Sequence, residues 1–348
     1  MVLKLQNNAG NPYNKQKLAS FRHVATLKSV FGGKIMQLHF LGTGAGMPSK
    51  ERNTSALALK LLEERGTIWL FDCGEATQHQ ILHTTIKPRK IDKIFITHLH
   101  GDHIFGLPGF LSSRSFLGGE EKLTIYGPAG LQQWIEQTLK LSKTHLTYSI
   151  EFVEVREGIV FEDEQFVVRA MPLEHVIECF GYRVEQKPLL GELLVDKAFA
   201  LGVPKGPLLG KLKAGHDVQL ENGTIVKSNE VTSPPKKGFT VTILGDTKLC
   251  ENAQTLARHA DVLVHEATFD HATIHLAAQY GHATNTEAAQ IAKTAEAGYL
   301  ILNHISARFL MNDLTNLLNE AKQIFEHTYI ANDQTQFEWR QEQLLLVK

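Results

Sequence analysis

The stretch Lys93-Ile94-Phe95-Ile96-Thr97-His98-Leu99-His100-Gly101-Asp102-His103 decides how this chain is read. An apolar run with the character of a buried strand passes directly into four potential metal ligands, His98, His100, Asp102 and His103. At the chain's own His and Asp frequencies that pattern arises by chance about once in a thousand such sequences, so a surface His-rich turn is a poor account of it. Neutral imidazoles suit zinc, and a carboxylate adds hard-ligand character. A strand ending in such a cluster places a metal site at the rim of a sheet, where a rigid element aims each ligand.

Working outward, the same arrangement recurs. Met36–Leu41 alternates like a strand and leads into Gly42-Thr43-Gly44-Ala45-Gly46. That G-x-G-x-G spacing, followed by Pro48, is not a dinucleotide fingerprint and reads as a tight loop lining a site. Residues 56–62 and 67–71 form a predicted hairpin around Glu63-Glu64-Arg65-Gly66. A helix is predicted over 128–141, with Pro128 near its start. A strand over 165–171 leads to His175, and another covers 180–184. Later strands over 240–244, 262–264 and 299–302 end in Gly245-Asp246, His265-Glu266 and His304. Helices are predicted over 252–259, 285–297 and 314–325, the second amphipathic with Ala288, Ile291, Ala292 and Ala295 inward, and a short strand over 329–331. Strands mixed with helices and repeatedly ending in His or Asp predict a β-rich α/β sandwich carrying a metal site on its rim.

Between Gln186 and Gly238 the texture changes. Pro188, Pro204, Pro207, Pro234 and Pro235 fall here with seven glycines, and eight lysines outnumber the acids. Asn222-Gly223 signals a hairpin turn. A connection of this length inside a compact domain needs a use, so it reads as an inserted, protruding arm.

The bulk properties bound the rest. A chain of 348 residues can bury a large core, as one α/β domain or two smaller ones. No apolar run is long enough to span a membrane. Cys73, Cys179 and Cys250 are scattered and odd in number, so neither a disulfide framework nor a thiolate zinc site is expected, and a reducing cytoplasm fits. Residues 1–34 carry six cations and no acid, which puts the remainder at −7 against a whole-chain charge of −1. An acidic body argues against indiscriminate nucleic-acid binding but not against a few placed contacts to phosphate. Met36 reads as the start of the folded domain, and 1–35 as a disordered basic extension or leader.

Taken together, these residues resemble the metallo-β-lactamase superfamily and, within it, the ribonuclease Z family of the short bacterial type. The resemblance runs from Met36 nearly to the C-terminus. It rests on the joint order of Met36–Pro48, Pro48-Ser-Lys-Glu-Arg-Asn53, Phe71-Asp-Cys-Gly-Glu-Ala-Thr-Gln78, the histidine cluster, Gly245-Asp246, His265-Glu-Ala-Thr268, His282-Ala-Thr284 and His304-Ile-Ser-Ala-Arg308. It implies a metallo-β-lactamase-like αββα sandwich over 36–348, with 186–238 as a flexible arm that holds tRNA.

By position, the resemblance implies one zinc held by His98, His100 and His175, a second by Asp102, His103 and His304, and Asp246 bridging them. His175 alone also has an ordinary reading as a half-buried histidine, and Asp246 as a turn residue. Asp72 reads as a carboxylate orienting a ligand imidazole. Two such ions, roughly 3.5–4 Å apart, promote in-line attack of water at phosphorus. The implied activity is removal of the 3′ trailer from precursor tRNA, leaving a tRNA 3′-hydroxyl and a trailer 5′-phosphate. Asp102 doubles as the base, and His282 acts as general acid, oriented by Glu266. His265 reads either as a site residue or as a structural one.

For RNA contacts, Lys50, Arg52 and Asn53 in the loop after Pro48 are expected near the cut, and Arg308 either at the 3′ end or bracing its loop. Val203-Pro-Lys-Gly-Pro207, with Lys205, Gly206 and Pro207, matches the family's arm element. The resemblance also implies a homodimer in which one subunit's arm serves the other's site. A related hydrolase of a small phosphodiester, thioester or lactone would use the same metal core, but needs neither arm nor loop. A non-catalytic RNA-binding scaffold is disfavoured by the complete ligand set.

Overall fold

The computed structural model describes residues 36–348; the segment 1–35, read above as an extension or leader, lies outside the described residues. The chain opens with β1 (Met36–Gly42), a short β2 (Gly44–Ala45) and the hairpin β3 (Ala56–Leu61) and β4 (Thr67–Phe71). It then alternates α1 (Thr77–Leu82), β5 (Ile91–Phe95), α2 (Gly101–Ile104), α3 (Leu107–Phe116), β6 (Leu123–Gly127), α4 (Leu131–Leu141) and β7 (Ile150–Glu154). Three strands follow, β8 (Gly158–Glu162), β9 (Phe166–Pro172) and β10 (Phe180–Gln186). The insertion holds α5 (Val195–Ala200), α6 (Pro207–Lys213), β11 (Val218–Gln219) and β12 (Ile225–Val226). The chain resumes with β13 (Thr240–Ile243), α7 (Glu251–Ala257), β14 (Val262–Glu266), α8 (Ile274–Tyr280), α9 (Asn285–Thr294), β15 (Tyr299–Asn303), β16 (Ile305–Ser306), α10 (Leu314–Ile324) and β17 (Thr328–Ile330). It closes with β18 (Gln336–Arg340) and β19 (Gln343–Leu346).

Two sheets form, in the orders β19-β18-β1-β3-β4-β5-β6-β7 and β17-β15-β14-β13-β10-β9-β8. Strands β4 to β7 are parallel, as are β13, β14, β15 and β17. The remaining neighbours in both sheets are antiparallel. The layers follow from strand alternation. In β4, Trp69 and Phe71 face the second sheet, where Trp69 meets Phe166 with ring centroids 5.3 Å apart and Phe71 meets Tyr182 at 6.1 Å. Ile68 and Leu70, on the opposite face, pack with Ile81, Phe110, Leu111 and Ile135 from α1, α3 and α4. The second sheet does the same. Val262 and Val264 enter the core between the sheets, and Leu263 packs under α7 and α9 on Leu256, Ala288 and Ile291. The result is the αββα sandwich expected from the sequence.

Some elements differ from the sequence reading. Strands β6, β7 and β8 and the closing hairpin went unread. That hairpin turns on Gln341 and Glu342, both at positive φ (51° and 60°). Residues other than Gly, Asn or Asp rarely take this conformation, so no turn signal marks it. The helix expected from Pro128 begins at Leu131, after Gly130 at φ 93°. β14 pairs with β15 as far as Glu266, opposite Asn303, so His265 and Glu266 lie on the strand rather than past its end.

The arm leaves β10 and returns into β13 through a two-stranded stem, where Leu189 and Lys236 exchange backbone hydrogen bonds of 2.9 Å. Beyond the stem it has its own apolar cluster of Ala198, Val203, Leu212, Val218, Val226 and Val231. The sequence showed little periodicity because α5 and α6 are only 6 and 7 residues long, too short to display it. At the tip of the 205–207 element, Gly206 adopts φ 144° and Pro207 opens α6 at the position where a missing N–H costs nothing.

One core residue gives the fold a pH dependence. His39 on β1 is buried, and its Nε2 lies 3.0 Å from Gln334 Oε1. Burial pushes its pKa down to about 4, with Lys60 and Lys348 adding to the effect and Gln334 opposing it. The unfolded chain therefore takes a proton near pH 6.5 that the folded chain refuses until about pH 4. His39 thus favours folding above that window, and its contribution is lost as pH falls through it, at up to about 1.4 kcal/mol per pH unit. Denaturant unfolding of the wild type and His39→Gln at several pH values should show the stability difference moving against the wild type between pH 6.5 and 4. A difference flat with pH would refute the assignment.

Candidate active site

The site forms where strands of both sheets end. β5 delivers Thr97–His103, β13 delivers Asp246, β14 carries Glu266 and β15 delivers His304. β9 is antiparallel to β10, which is antiparallel to β13, so β9 points the same way and brings His175 to the same rim. Ligand sites at the carboxyl ends of parallel strands are the rule for open α/β sheets.

Two sets of donors converge there. His98 Nε2 and His175 Nε2 lie 3.1 and 3.2 Å from His100 Nδ1. Asp246 Oδ2 is 3.6 Å from His98 Nε2. In the second set, His103 Nε2 and His304 Nε2 are 3.3 Å apart, and His304 Nε2 is 3.3 Å from Asp102 Oδ2. Asp246 Oδ2 is 3.5 Å from His103 and 3.4 Å from His304, so one carboxylate oxygen faces both sets. Donors bound tetrahedrally at zinc–nitrogen distances are about 3.3 Å apart edge to edge, which is the spacing observed.

The far side of the imidazoles settles their tautomers. His103 Nδ1 donates to Asp72 Oδ2 at 2.8 Å, and His175 Nδ1 donates to the Gly281 carbonyl at 2.7 Å. Thr268 donates to Glu266 Oε2 at 2.5 Å and can accept from His304 Nδ1 at 2.8 Å. Thr97 in turn donates to Asp72 and lies 3.0 Å from His98 Nδ1. With those protons spent outward, the Nε2 lone pairs of His98, His103, His175 and His304 face one another, an arrangement suited to cations. The residues fit a pair of divalent metal ions.

The backbone is strained at the same place. Asp72 and His304 adopt φ of 57° and 54°, a costly conformation for residues with a Cβ, held by the bonds just described. Gly281, at φ 78°, ends α8 so that its carbonyl meets His175, and an added Cβ would lie 3.0 Å from that imidazole.

Electrostatics agree. Burial alone would lower His103, but Asp246 and Asp72 hold it well above the usual imidazole range. Burial opposes ionisation of Asp246, yet His304, His103 and His98 keep it well below the usual carboxylate range. Carboxylates that favour a proton there favour a metal cation in its place.

His282 stands beside both sets, with Nδ1 2.9 Å from Glu266 Oε1 and 3.8 Å from Asp246 Oδ2. Burial would lower its pKa, but the Glu266 carboxylate outweighs this and raises it to about 9. Its donor atom also falls within reach of Asp246 and His304 as a third ligand-like group. Glu266 is itself buried and accepts from Thr247 N at 2.8 Å, so it is a fixed partner. His265 points elsewhere; its Nδ1 donates to the Glu266 carbonyl at 2.8 Å, and it joins no ligand group among the described residues.

The expected RNA-contact residues are placed less uniformly. Arg52 is buried, donating from Nη1 to Thr43 Oγ1 at 2.6 Å and the Ala331 carbonyl at 2.7 Å, and from Nη2 to Asn332 Oδ1 at 2.6 Å. Asn53 is buried too and donates to the Glu75 carbonyl at 2.7 Å. Both side chains, expected near the cut, thus have partners inside the protein. They pin the loop: burial disfavours the Arg52 charge, and its hydrogen bonds to Thr43, Ala331 and Asn332 offset that cost. Lys50 is exposed on that loop. Arg308 lines the catalytic cleft, donates from Nε to Ser306 Oγ at 3.1 Å and lies over the Phe269 ring at 4.4 Å. Lys205, Gly206 and Pro207 are exposed on the arm. Sequence reasoning assigned no role to Thr97, Thr268 or Gly281, although Thr268 sits within a quoted motif.

An αββα sandwich with two donor sets sharing a carboxylate at its rim defines a hydrolase of the metallo-β-lactamase fold. Comparisons with known proteins narrow this. A family profile described as Anti-Pycsar protein Apyc1 matches residues 36–190, less than half of the chain. Ribonuclease Z of Bacillus mycoides is 57% identical over 303 residues, covering 87% of this chain and 99% of that protein, and the Bacillus cereus ribonuclease Z matches to the same extent. The crystal structure of human tRNase Z, short form, superposes with a TM-score of 0.61 at 32% identity, covering 86% of this chain and 98% of that one. The metallo-β-lactamase fold protein YhfI of Bacillus subtilis shares the fold, with a TM-score of 0.61 at 22% identity over 88% of this chain and all of that one. The chain belongs to the ribonuclease Z family.

Proposed function

We propose that this protein is a zinc-dependent endoribonuclease that removes the 3′ trailer from precursor tRNA, with two zinc ions per subunit, acting as a homodimer in the cytoplasm. The observation that carries the reading is the pair of donor sets meeting on Asp246 Oδ2, in a chain of the ribonuclease Z family. Among the described residues no helix is long and apolar enough to cross a membrane.

Two ions in these sets would supply an activated water and neutralise charge gathering on the phosphoryl oxygens. The protein's own groups do the rest. Asp102 takes its contacts with Gly46 N (2.7 Å) and His304 through Oδ2, leaving Oδ1 to accept the water's proton. His282 keeps a proton through its pairing with Glu266 and delivers it from Nε2 to the departing 3′ oxygen. The tRNA then ends in a 3′-hydroxyl and the trailer begins with a 5′-phosphate. Arg308, which lines the cleft, and Lys50, exposed on the loop after Pro48, would meet RNA phosphates near the cut. The arm, with Lys205, Gly206 and Pro207 exposed, would grip the body of the tRNA.

The test is cleavage of a 3′-extended tRNA with product ends mapped, run alongside His282→Ala. The wild type should release one trailer with a 5′-phosphate and lose activity on chelation. His282→Ala should lower kcat by about a hundredfold or more while metal content and tRNA affinity hold, because a proton donor acts in the transition state. If that variant loses metal instead, His282 is a ligand and the acid lies elsewhere. No cleavage by metal-replete wild type would remove the reading altogether.

A further inference from the structure

We propose that the open Tyr280 ring and the Arg308 guanidinium, both set against the buried Phe269 ring, take a nucleobase by stacking next to the scissile phosphate. The proposal rests on the reading of the site as an RNA-cleaving centre and names how that site holds its substrate. None of the three side chains joins a ligand group or the proton-transfer pair.

The three line the same cleft as the metal donors, a space of about 460 Å³. Phe269 is 3% exposed and fixed in place. The Arg308 guanidinium lies 4.4 Å from its ring centroid. The Tyr280 ring runs parallel to Phe269 within 5°, with centroids 6.4 Å apart. Phe269 also neighbours His282, with centroids 6.0 Å apart, so this group of rings begins beside the residue assigned to protonate the leaving oxygen. Tyr280 is 52% exposed, a large ring left open to the cleft rather than folded into the core. It terminates α8 immediately before Gly281, whose carbonyl is tied to His175, so the backbone that carries the ring is anchored to the ligand shell.

An open aromatic ring and a guanidinium beside a phosphate-cleaving centre fit a planar base attached to that phosphate. Unpaired RNA bases are held by stacking on aromatic rings and guanidinium planes. Such contacts tolerate any base, since every base has a π-face. That tolerance suits an enzyme meeting many different sequences at its cut.

The experiment is a cycle between Tyr280→Ala and precursor tRNAs carrying a single abasic nucleotide on either side of the cleavage site. Tyr280→Ala should raise KM on the intact precursor about tenfold with a smaller change in kcat, and Tyr280→Trp should restore it. An abasic nucleotide at one of the two flanking positions should cost the wild type a similar factor, and that penalty should vanish in Tyr280→Ala. An abasic penalty that persists undiminished in Tyr280→Ala, or a loss in that variant that Trp does not repair, would overturn the stacking contact. Wild type that hydrolyses bis(p-nitrophenyl) phosphate but leaves the precursor intact would overturn the underlying reading, and the stacking contact with it.

Discussion

Asp246→Ala is expected to abolish turnover more completely than the loss of any single histidine, lowering kcat/KM by about a thousandfold or more. The reason is geometric. Each histidine serves one donor set, whereas Asp246 Oδ2 lies 3.6 Å from His98, 3.5 Å from His103 and 3.4 Å from His304, and so faces both. Removing it takes away the one carboxylate that links the two sets and offsets the charge of cations held between the imidazoles. The apolar clusters that hold the sandwich do not include Asp246, so the variant should stay folded. Elemental analysis of metal-replete protein should fall from about two ions per chain to one or fewer. His175→Ala, which touches the first set alone, should retain more of both metal and activity. An Asp246→Ala protein with full metal content and more activity than His175→Ala would refute the shared-carboxylate arrangement.

Replacing the arm should separate grip from chemistry. The stem bond between Leu189 and Lys236 closes the insertion, and Gln186 at the end of β10 is hydrogen-bonded to Phe239. Residues 190–235 can therefore be exchanged for a short Gly/Ser linker without touching β10 or β13. The arm's cluster around Leu212 and Val231 belongs to the arm itself, so the main core loses nothing. The excision removes five exposed lysines, Lys197, Lys205, Lys211, Lys213 and Lys227. Precursor tRNA should bind roughly a hundredfold more weakly, and the salt dependence of binding should flatten, because fewer counterions are released per complex. Hydrolysis of bis(p-nitrophenyl) phosphate should persist. Equal losses on both substrates would mean that the segment supports the body of the protein, and unchanged tRNA cleavage would place recognition elsewhere.

Much of this was legible in the chain. The Thr97–His103 stretch, the strand ends at Asp246 and His304, and the change of texture after Gln186 depend on local signals: apolar runs, ligand-type residues at fixed offsets, and turn-forming composition. These were enough to predict a sandwich with a metal site on its rim and an inserted arm.

What only the tertiary structure decided were matters of direction and partner. Arg52 and Asn53 sit in a polar loop that reads as solvent-facing, yet they turn inward, because Ala331 and Asn332 lie behind Arg52 and the Glu75 carbonyl lies behind Asn53. His265 and Glu266 are adjacent in sequence, yet Glu266 aims at His282 and His265 does not, because successive residues on a strand face opposite sides. Phe269, Tyr280 and Arg308 are spread across the last third of the chain, and no spacing relates them until α8 and the loop after β16 each meet Phe269 beside the cleft. A sequence records which groups are available and how each segment repeats. Which long-range neighbour satisfies a given polar group is settled only when the two sheets close, since that choice depends on burial and distance rather than on position along the chain.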